Sequence, residues 1–300
     1  MTPSNETRRT IEGVVPILIT PFDEDGRIDI ESLERLIEFD IAAGVHGLGV
    51  ALGSEIFKLT EAERDLVSRA VVRQVAGRVP VVVNTGASGT HLAVAYSKAA
   101  EAAGADALMV IPPHFLPASG AEIADYYRTI DAAVGIPIIL QDIAQAPVPP
   151  GLALRLAEEC RNVTAIKVET LPTPTRVAEM APTVGDRLTI LGGAGGSYFI
   201  EELRRGAQGT MPFSSQPGAF VEVFARFRAG DEAGAREIFD STIMAVNRLA
   251  AQGGDLFYHV HKQLLVRLGV IRTAYVRSPT MTVDQVTQRE IDELLDRLTA

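Results

Sequence analysis

The sequence predicts a closed (β/α)8 TIM barrel with helices appended at its C-terminal end, and two observations lead to this prediction. Short apolar or β-branched runs alternate with longer amphipathic segments from residue 14 to about residue 213. There are eight such runs, and they are almost continuously hydrophobic, as is typical of parallel strands buried on both faces. Eight strand and helix units in about 200 residues suit a closed barrel, with a doubly wound open sheet as the alternative.

The predicted strands can be assigned in chain order. The first is "VVPILIT" at residues 14–20, followed by "GLGVA" at 47–51 and "PVVVN" at 80–84. The segments between strands, such as "TEAERDLVSRAVVRQVAG", repeat apolar residues three and four positions apart and often end at glycine, which indicates helices. The remaining strands are predicted at 106–111, 136–140, 163–168, 187–191 and 209–213. We therefore expect the barrel to occupy residues 1–215.

Residues 216–300 contain further amphipathic segments. They include "AFVEVFARFRAGDEAGAREIFDSTIMAVNRLAAQ" and "DLFYHVHKQLLVRLG", which are typical of helices. No linker separates them from the strands, so we expect a helical extension packed on the barrel rather than an independent domain.

Composition limits the possible partners. The chain is 47% hydrophobic with a formal net charge of −10, which argues against nucleic acid and anionic membranes as partners. The first ten residues lack the apolar core of a signal peptide, and no run is long enough to span a membrane, so we expect a cytoplasmic protein. The single cysteine, Cys160, offers no disulfide framework or metal-binding spacing. His259 and His261 are two residues apart on a predicted helix and point in different directions, so we do not expect them to bind a metal. No cofactor is expected either.

Lysine is rare in this chain, and one lysine lies inside a predicted strand. Of 28 basic residues only four are lysines, at positions 58, 98, 167 and 262. Side chains alternate across a strand, so Ala165, Lys167 and Glu169 share one face of "VTAIKVE". If the small Ala165 marks the inward face, Lys167 and Glu169 point to the mouth of the barrel, where such folds hold their active sites.

The chemistry of Lys167 follows from this location. Burial would lower the pKa of the amine, whereas a neighbouring carboxylate would raise it and could move protons. A partly deprotonated amine is the nucleophile that condenses with a ketone to give a Schiff base. The alternative is a Lys–Glu ion pair that only closes the end of the strand.

Polar residues and glycines follow the other predicted strands at the same rim. Main-chain N–H groups at Gly53 and Ser54, with the Ser54 hydroxyl, could hold a substrate carboxylate. Gly193 could leave room for the substrate chain, and His114 could bind the substrate by polarising a leaving hydroxyl or by contacting the substrate chain. The alternatives are simple turn geometry for the glycines and packing at a subunit interface for His114. Glu55 is expected to fix its loop by hydrogen-bonding the main chain. The other candidate residues are Gln141 with a catalytic role, and Asp142 and Ser214 with roles in substrate binding.

Four segments resemble a known family over nearly the whole chain. They are "GVVPILITPFDEDGRID", "GLGVALGSEIFKLTEAER", "VTAIKVE" and "GVIRTAYVRSPT". Each is similar to a segment of the dihydrodipicolinate synthase and N-acetylneuraminate lyase superfamily. The resemblance implies a class I lyase on a (β/α)8 barrel, with Lys167 as the imine-forming residue and a homotetrameric assembly.

Several positions depart from the pattern of dihydrodipicolinate synthases. Gln141 occupies the position of the tyrosine that relays protons, and Ala146 that of the arginine that binds the substrate carboxylate. Leu52 and Gly53 replace a pair of hydroxyl residues. His114 stands where this superfamily often lends a tyrosine across a subunit interface. A role in lysine biosynthesis is therefore not expected.

The motifs "SE" after strand two, "QD" after strand five and "K-x-E" on strand six resemble the branch containing 2-keto-3-deoxy-L-arabonate dehydratase. This implies that Lys167 attacks the C2 ketone of a 2-keto-3-deoxy sugar acid, that Glu169 removes a C3 proton, and that the C4 hydroxyl leaves as water. Three alternatives remain. They are a pyruvate-dependent aldolase of the same superfamily, a catalytically weak regulatory barrel that binds a keto acid, and a metal-dependent barrel lyase.

Overall fold

The computed structural model describes residues 11–299, in which eight parallel strands form one sheet. The first ten residues, which contributed to the expectation of a cytoplasmic protein, lie outside the described residues. Each strand is mostly buried, as the hydrophobic runs predict. The strands are β1 (Gly13–Val14), β2 (Leu48–Val50), β3 (Val81–Asn84), β4 (Ala107–Val110), β5 (Ile138–Asp142), β6 (Val163–Val168), β7 (Thr189–Gly192) and β8 (Gly209–Thr210).

The sheet closes on itself just after β1. Its strands are ordered β1-β8-β7-β6-β5-β4-β3-β2, so closure requires β1 and β2 to meet. Ile17 bridges in parallel to both Gly49 and Phe213, and the Leu18 N–H donates to the Gly49 carbonyl at 2.8 Å. Pro16 has no N–H to donate, so the regular ladder of β1 is shorter than the predicted 14–20. The predicted (β/α)8 class is confirmed.

Helices cover the outside of the sheet, and two of them begin with a capping box. The Thr60 hydroxyl accepts the Glu63 N–H while the Glu63 carboxylate accepts the Thr60 N–H, and Ser119 and Glu122 repeat this arrangement. The helices are α1 (Ile30–Ala42), α2 (Glu61–Val75), α3 (Thr90–Ala102), α4 (Gly120–Asp131), α5 (Pro150–Glu159), α6 (Thr173–Val184), α7 (Phe199–Leu203) and α8 (Pro217–Arg228).

The remaining helices form the C-terminal extension. Phe220 and Val223 of α8 pack with Val14 of β1, so α8 covers the sheet as the eighth helix of the barrel. This contact favours a barrel that ends after α8 rather than at the predicted residue 215, and the division into domains stays a prediction. None of the helices within residues 11–299 has the length and apolar character needed to cross a membrane. The extension comprises α9 (Glu232–Ile238), a π-helical segment (Phe239–Ile243), α10 (Met244–Ala250), α11 (Leu256–Arg267) and α12 (Gln285–Thr299).

Two separate hydrophobic clusters lie on the two faces of the sheet. Ala165, Ile139 and Leu191 belong to the cluster inside the barrel. Ile166 and Val168 belong to the larger cluster between the strands and the helices. The alternation expected along β6 is therefore present, with Ala165 on the inward face.

Candidate active site

Lys167 lies near the carboxyl end of β6 on the inward face. Its neighbours in register are Gln141 on β5 and Leu191 on β7. The side chain is buried, and its Nζ lies 3.0 Å from Oε1 of Glu169. A buried ammonium requires such a partner, because an unpaired charge in the interior is costly. The two residues singled out on strand six are thus in direct contact.

Glu169 is also held from the β5 side. Its Oε2 accepts a hydrogen bond from the Gln141 amide at 2.7 Å, and Oε1 of Gln141 accepts from Nδ2 of Asn84 at 2.8 Å. This chain of amides fixes the orientation of the carboxylate beside Lys167. Asn84, the last residue of β3, was missed as a site residue. Its only signal in the sequence is a polar residue closing an apolar strand.

Gly193 makes room for Glu169. A Cβ atom at position 193 would lie 2.3 Å from Cγ of Glu169, far inside van der Waals contact. Only glycine allows the carboxylate to lie against the main chain after β7. The predicted role was room for the substrate chain, but the atoms that fill this space belong to Glu169.

Ser54 stabilises the turn that follows β2. The turn is a 3-10 helix over Leu52–Ser54. The Ser54 hydroxyl donates to the Leu18 carbonyl and accepts the Ala51 N–H at 3.1 Å. The Ser54 N–H also donates to the Ala51 carbonyl, at 2.8 Å. Within residues 11–299, no hydrogen bond engages the main-chain N–H groups of Leu52 and Gly53, so these two remain available for an anion.

The side chains of Asp142 and Ser214 both bond to other parts of the protein. Asp142 follows the inward-facing Gln141, so alternation turns its side chain to the helical layer. There it accepts the Val148 N–H at 2.7 Å and pairs with Arg176 at 3.3 Å. The buried Ser214 hydroxyl accepts the Ile19 N–H at 3.3 Å. These positions argue against the predicted substrate contacts.

His114 is on an exposed loop, apart from the Lys167 cluster. Its Nδ1 lies 3.4 Å from the Pro112 carbonyl. It lines a cavity of about 620 Å³ together with Phe115 and Leu116, and Lys167 is not part of that lining. Within the described chain, His114 is therefore not brought together with Lys167.

Glu55 belongs to a second buried ionic cluster. Its carboxylate lies 2.5 Å from Nζ of Lys262 and 3.2 Å from Nζ of Lys58, so the expected hydrogen bond to the main chain is wrong. Lys262 also donates to the Tyr275 carbonyl at 2.7 Å and lies 4.5 Å from the ring centre of Phe22. Burial lowers the pKa of Lys262 to about 8, an effect that Glu55 opposes. Two of the four lysines thus serve this cluster.

Helix α11 forms one wall of the barrel mouth. The Tyr258 hydroxyl donates to the Leu52 carbonyl at 2.7 Å, and Nδ1 of His261 pairs with the Ser215 hydroxyl at 2.7 Å. Burial lowers the pKa of His261 to about 3, so its ring is neutral near pH 7. Residues three and four apart on a helix share a face, which is how α11 reaches both the β2 turn and the loop after β8. The sequence indicated a helix here but not its partners.

A cavity of about 320 Å³ opens between this wall and the barrel mouth. It begins at Glu169 and extends beneath α10 and α11. Among residues 11–299, no group of three or more His, Cys, Asp or Glu side chains is arranged to hold a metal ion. The lining includes Leu52, Glu169, Phe213, Asn247, Phe257 and Tyr258.

A buried lysine and carboxylate at the sixth strand of a closed (β/α)8 barrel, beside a cavity at its mouth, are the arrangement of a class I lyase. The model of the Dihydrodipicolinate synthetase family matches residues 10–298, and the chain belongs to that family. It is therefore an enzyme, a class I lyase of the kind that acts on 2-keto acids. The resemblance drawn from the four sequence segments is confirmed.

The similarity to known proteins extends along nearly the whole chain. An L-2-keto-3-deoxyarabonate dehydratase from Azospirillum brasilense is 30% identical, over 99% of this chain and 97% of that protein. A 4-hydroxy-tetrahydrodipicolinate synthase from Sorangium cellulosum is 35% identical, over 97% of each chain. Among solved structures, a prophage protein of the dihydrodipicolinic acid synthase family from E. coli K12, in complex with pyruvate, matches with a TM-score of 0.90. It is 26% identical, over 97% of this chain and 99% of that one.

Proposed function

We propose that this enzyme forms a Schiff base between Lys167 and a 2-keto-3-deoxy acid and eliminates the C4 hydroxyl as water. The observation that carries the proposal is the contact between Oε1 of Glu169 and Nζ of Lys167, at 3.0 Å. The same carboxylate is held in place by a hydrogen bond from the Gln141 amide, at 2.7 Å. The reference substrate is 2-keto-3-deoxy-L-arabonate, after the dehydratase to which the chain is similar.

The reaction begins at the ketone. The neutral amine of Lys167 attacks C2. The ketone oxygen receives one proton from the amine and one from solvent, and it leaves as water when the C=N bond forms. The resulting iminium withdraws electrons from C3 and acidifies its protons. Glu169 accepts a C3 proton and the C4–O bond breaks. Glu169 then gives this proton to the departing hydroxide, which leaves as a second water, and the carboxylate is restored. Hydrolysis of the imine consumes one water, releases the unsaturated keto acid and restores Lys167.

Gln141 supports elimination over carbon–carbon cleavage. Retro-aldol cleavage needs a base on the C4 hydroxyl, the role of the family tyrosine that Gln141 replaces. A neutral amide is no base, and this one already donates to Glu169 and accepts from Asn84. Its function in the proposal is to orient the carboxylate.

The N–H groups of Leu52 and Gly53 are the proposed contacts of the substrate carboxylate. A Cβ at position 53 would lie 2.8 Å from the Phe213 ring, so glycine keeps this turn close to the β8 loop. We give Ser54 the role of holding the turn in shape, through its bonds to Leu18 and Ala51.

A pyruvate-dependent aldolase is the second candidate. It is favoured by the 35% identity to a 4-hydroxy-tetrahydrodipicolinate synthase, which exceeds the identity to the dehydratase. The two reactions differ in product, because cleavage releases pyruvate and elimination keeps the carbon chain intact.

Borohydride reduction tests the proposal. The enzyme is incubated with pyruvate or 2-keto-3-deoxy-L-arabonate, reduced with borohydride and digested with a protease. The mass of the peptide that contains residue 167 is then measured by mass spectrometry. We expect a keto-acid adduct on Lys167 that is absent from Lys167→Ala and retained in Lys98→Ala, which changes an exposed lysine on α3. Adducts on Lys58 or Lys262, or none at all, would overturn it. A coupled assay for pyruvate separates elimination from cleavage.

We also propose a cytoplasmic homotetramer. The exposed Phe115 and Leu116, at 80% and 71%, support an interface at the loop after β4, since large apolar groups are rarely left in water. Sedimentation velocity measures the assembly, and a monomer at micromolar concentration would contradict this proposal.

A further inference from the structure

The cavity beside Glu169 has apolar walls. The rings of Phe213 and Phe257 stack with their centres 5.3 Å apart, and the His261 ring packs on Phe213 at 4.5 Å. Leu52 and the small residues Ala250 and Ala251 complete the surface. A substrate bound to Lys167 must direct the atoms beyond its C4 into this space or into solvent, because Lys167 itself is buried below the mouth.

Most polar groups on these walls already have protein partners. Nδ2 of Asn247 donates to the Gly195 carbonyl at 2.9 Å and to the Ser197 hydroxyl at 3.1 Å. The Tyr258 hydroxyl donates to the Leu52 carbonyl in the turn after β2, and Nδ1 of His261 is hydrogen-bonded to the Ser215 hydroxyl. Apart from the N–H groups of Leu52 and Gly53, which are assigned to the substrate carboxylate, few donors and acceptors therefore remain to replace the water around a chain of hydroxyl groups.

We propose that the enzyme prefers 4-hydroxy-2-keto acids whose substituent beyond C4 is alkyl or aryl, over those in which it carries further hydroxyls. The inference rests on the proposed Schiff-base function and specifies the substrate class. An apolar tail gains by leaving water and contacts the stacked rings of Phe213 and Phe257. A hydroxylated tail loses hydrogen bonds with water that the walls replace only in part.

Matched substrates test the inference. The values of kcat/KM are compared in the unmodified enzyme for 4-hydroxy-2-oxohexanoate, 4-hydroxy-2-oxo-4-phenylbutanoate and 4,5-dihydroxy-2-oxopentanoate. The third compound is 2-keto-3-deoxy-L-arabonate, the reference substrate of the proposed function, which the inference makes the poorest of the three. We expect the first two to exceed the third by roughly 10- to 100-fold, the range over which an apolar pocket distinguishes such groups. Equal values, or a preference for the dihydroxy acid, would overturn the inference.

A pair of variants localises the effect. Phe257 is half-buried, so Phe257→Ala should remove wall surface without disrupting the core, and should lower the apolar preference by about 10-fold. Val286→Ala changes an apolar side chain that is 56% exposed on α12 and should keep the wild-type preference. An unchanged preference in Phe257→Ala would contradict the assignment of this wall.

The two levels of proposal fail differently. If borohydride traps no keto acid on Lys167, the proposed function fails. If pyruvate is trapped there but the dihydroxy acid is the better substrate, only the inference about the tail fails.

Discussion

Glu169 is the residue whose surroundings are most specific to the proposed reaction. Lys167, Gln141 and the space left by Gly193 together fix its position. We expect Glu169→Gln to lower kcat by roughly 10²- to 10⁴-fold, because the amide cannot accept the C3 proton. Adduct formation on Lys167 should persist, since attack on C2 does not need that proton transfer. Steady-state rates and mass spectrometry measure the two effects.

The matched control is Glu237→Gln, which changes an exposed carboxylate on α9 and should leave kcat unchanged. A Glu169→Gln enzyme that keeps kcat within a few-fold of wild type would remove Glu169 as the base.

Gly193 provides a second test at the same scale. In Gly193→Ala the new methyl would begin 2.3 Å from Cγ of Glu169, so the carboxylate must move away from Lys167. We expect kcat to fall by at least about 10-fold, because small displacements of catalytic groups are costly. Gly218→Ala, where the added Cβ meets nothing within 4 Å, is the control and should keep the wild-type rate. Equal rates in both variants would show that Glu169 tolerates displacement.

Sequence alone located the central pair but few of its supports. Alternation along β6 was sufficient to put Lys167 and Glu169 on one face. The same rule, applied to β5, separates Asp142 from Gln141, provided that the strand is known to continue through both. Glu55 could not be understood this way, because its partner Lys262 is 207 positions along the chain and comes from another helix.

At the scale of elements, α11 holds the β2 turn by a buried charge pair. Lys262 and Glu55 are both fully buried, and their atoms lie 2.5 Å apart. We expect Lys262→Met to destabilise the fold by about 3 kcal/mol, because it leaves Glu55 with only Lys58 as a charged partner. The double variant Glu55→Gln/Lys262→Met should recover part of this loss, since no buried charge is then left unpaired.

Urea unfolding measures both changes. Lys98→Met, at an exposed position on α3, should stay within about 0.5 kcal/mol of wild type. If the double variant is no more stable than Lys262→Met alone, the loss comes from packing rather than from an unpaired carboxylate.

The elements also show where sequence patterns stop being informative. Helix starts such as Thr60 with Glu63 are readable because both partners lie within one turn. The closure of the barrel is not local, since Ile17 must meet Gly49 and Phe213, and Pro16 interrupts the ladder in between. Strand one was therefore predicted too long although its position was correct.

For the whole molecule, two buried groups oppose each other in the pH dependence of stability. Burial lowers the pKa of His261 to about 3 from 6.5, so the unfolded chain binds more protons below pH 6.5 and acid destabilises the fold. Burial raises the pKa of Glu202 to about 7 from 4.5, so the folded chain binds more protons between those values and acid stabilises it.

Single variants should separate these contributions between pH 4.5 and 6.5. In Glu202→Gln the stability should fall with acidification more steeply than in the wild type, by about 1.4 kcal/mol per pH unit, because one group that opposes His261 is removed. In His261→Gln the slope should differ from the wild-type slope by a similar amount in the opposite direction. Urea unfolding across this range measures the slopes. Identical slopes in the two variants would contradict the assignment.

The overall architecture was more predictable than the site because it depends on many residues at once. Eight hydrophobic runs tolerate an error in any one of them, and the closed barrel is confirmed. The apolar wall depends on a few contacts, such as that between Phe213 and Phe257, whose partners are far apart in sequence. A pattern of hydrophobic residues in α11 cannot distinguish a ring that faces a cavity from one that fills a core.

The bond from Tyr258 to Leu52 joins residues 206 positions apart. During translation, a nascent chain that has emerged only as far as α10 contains all eight strands and the amine of Lys167. It still lacks α11, which forms one wall of the substrate chamber, the cavity beside Glu169. The enzyme should therefore be unable to form a complete chamber until α11 has also left the ribosome.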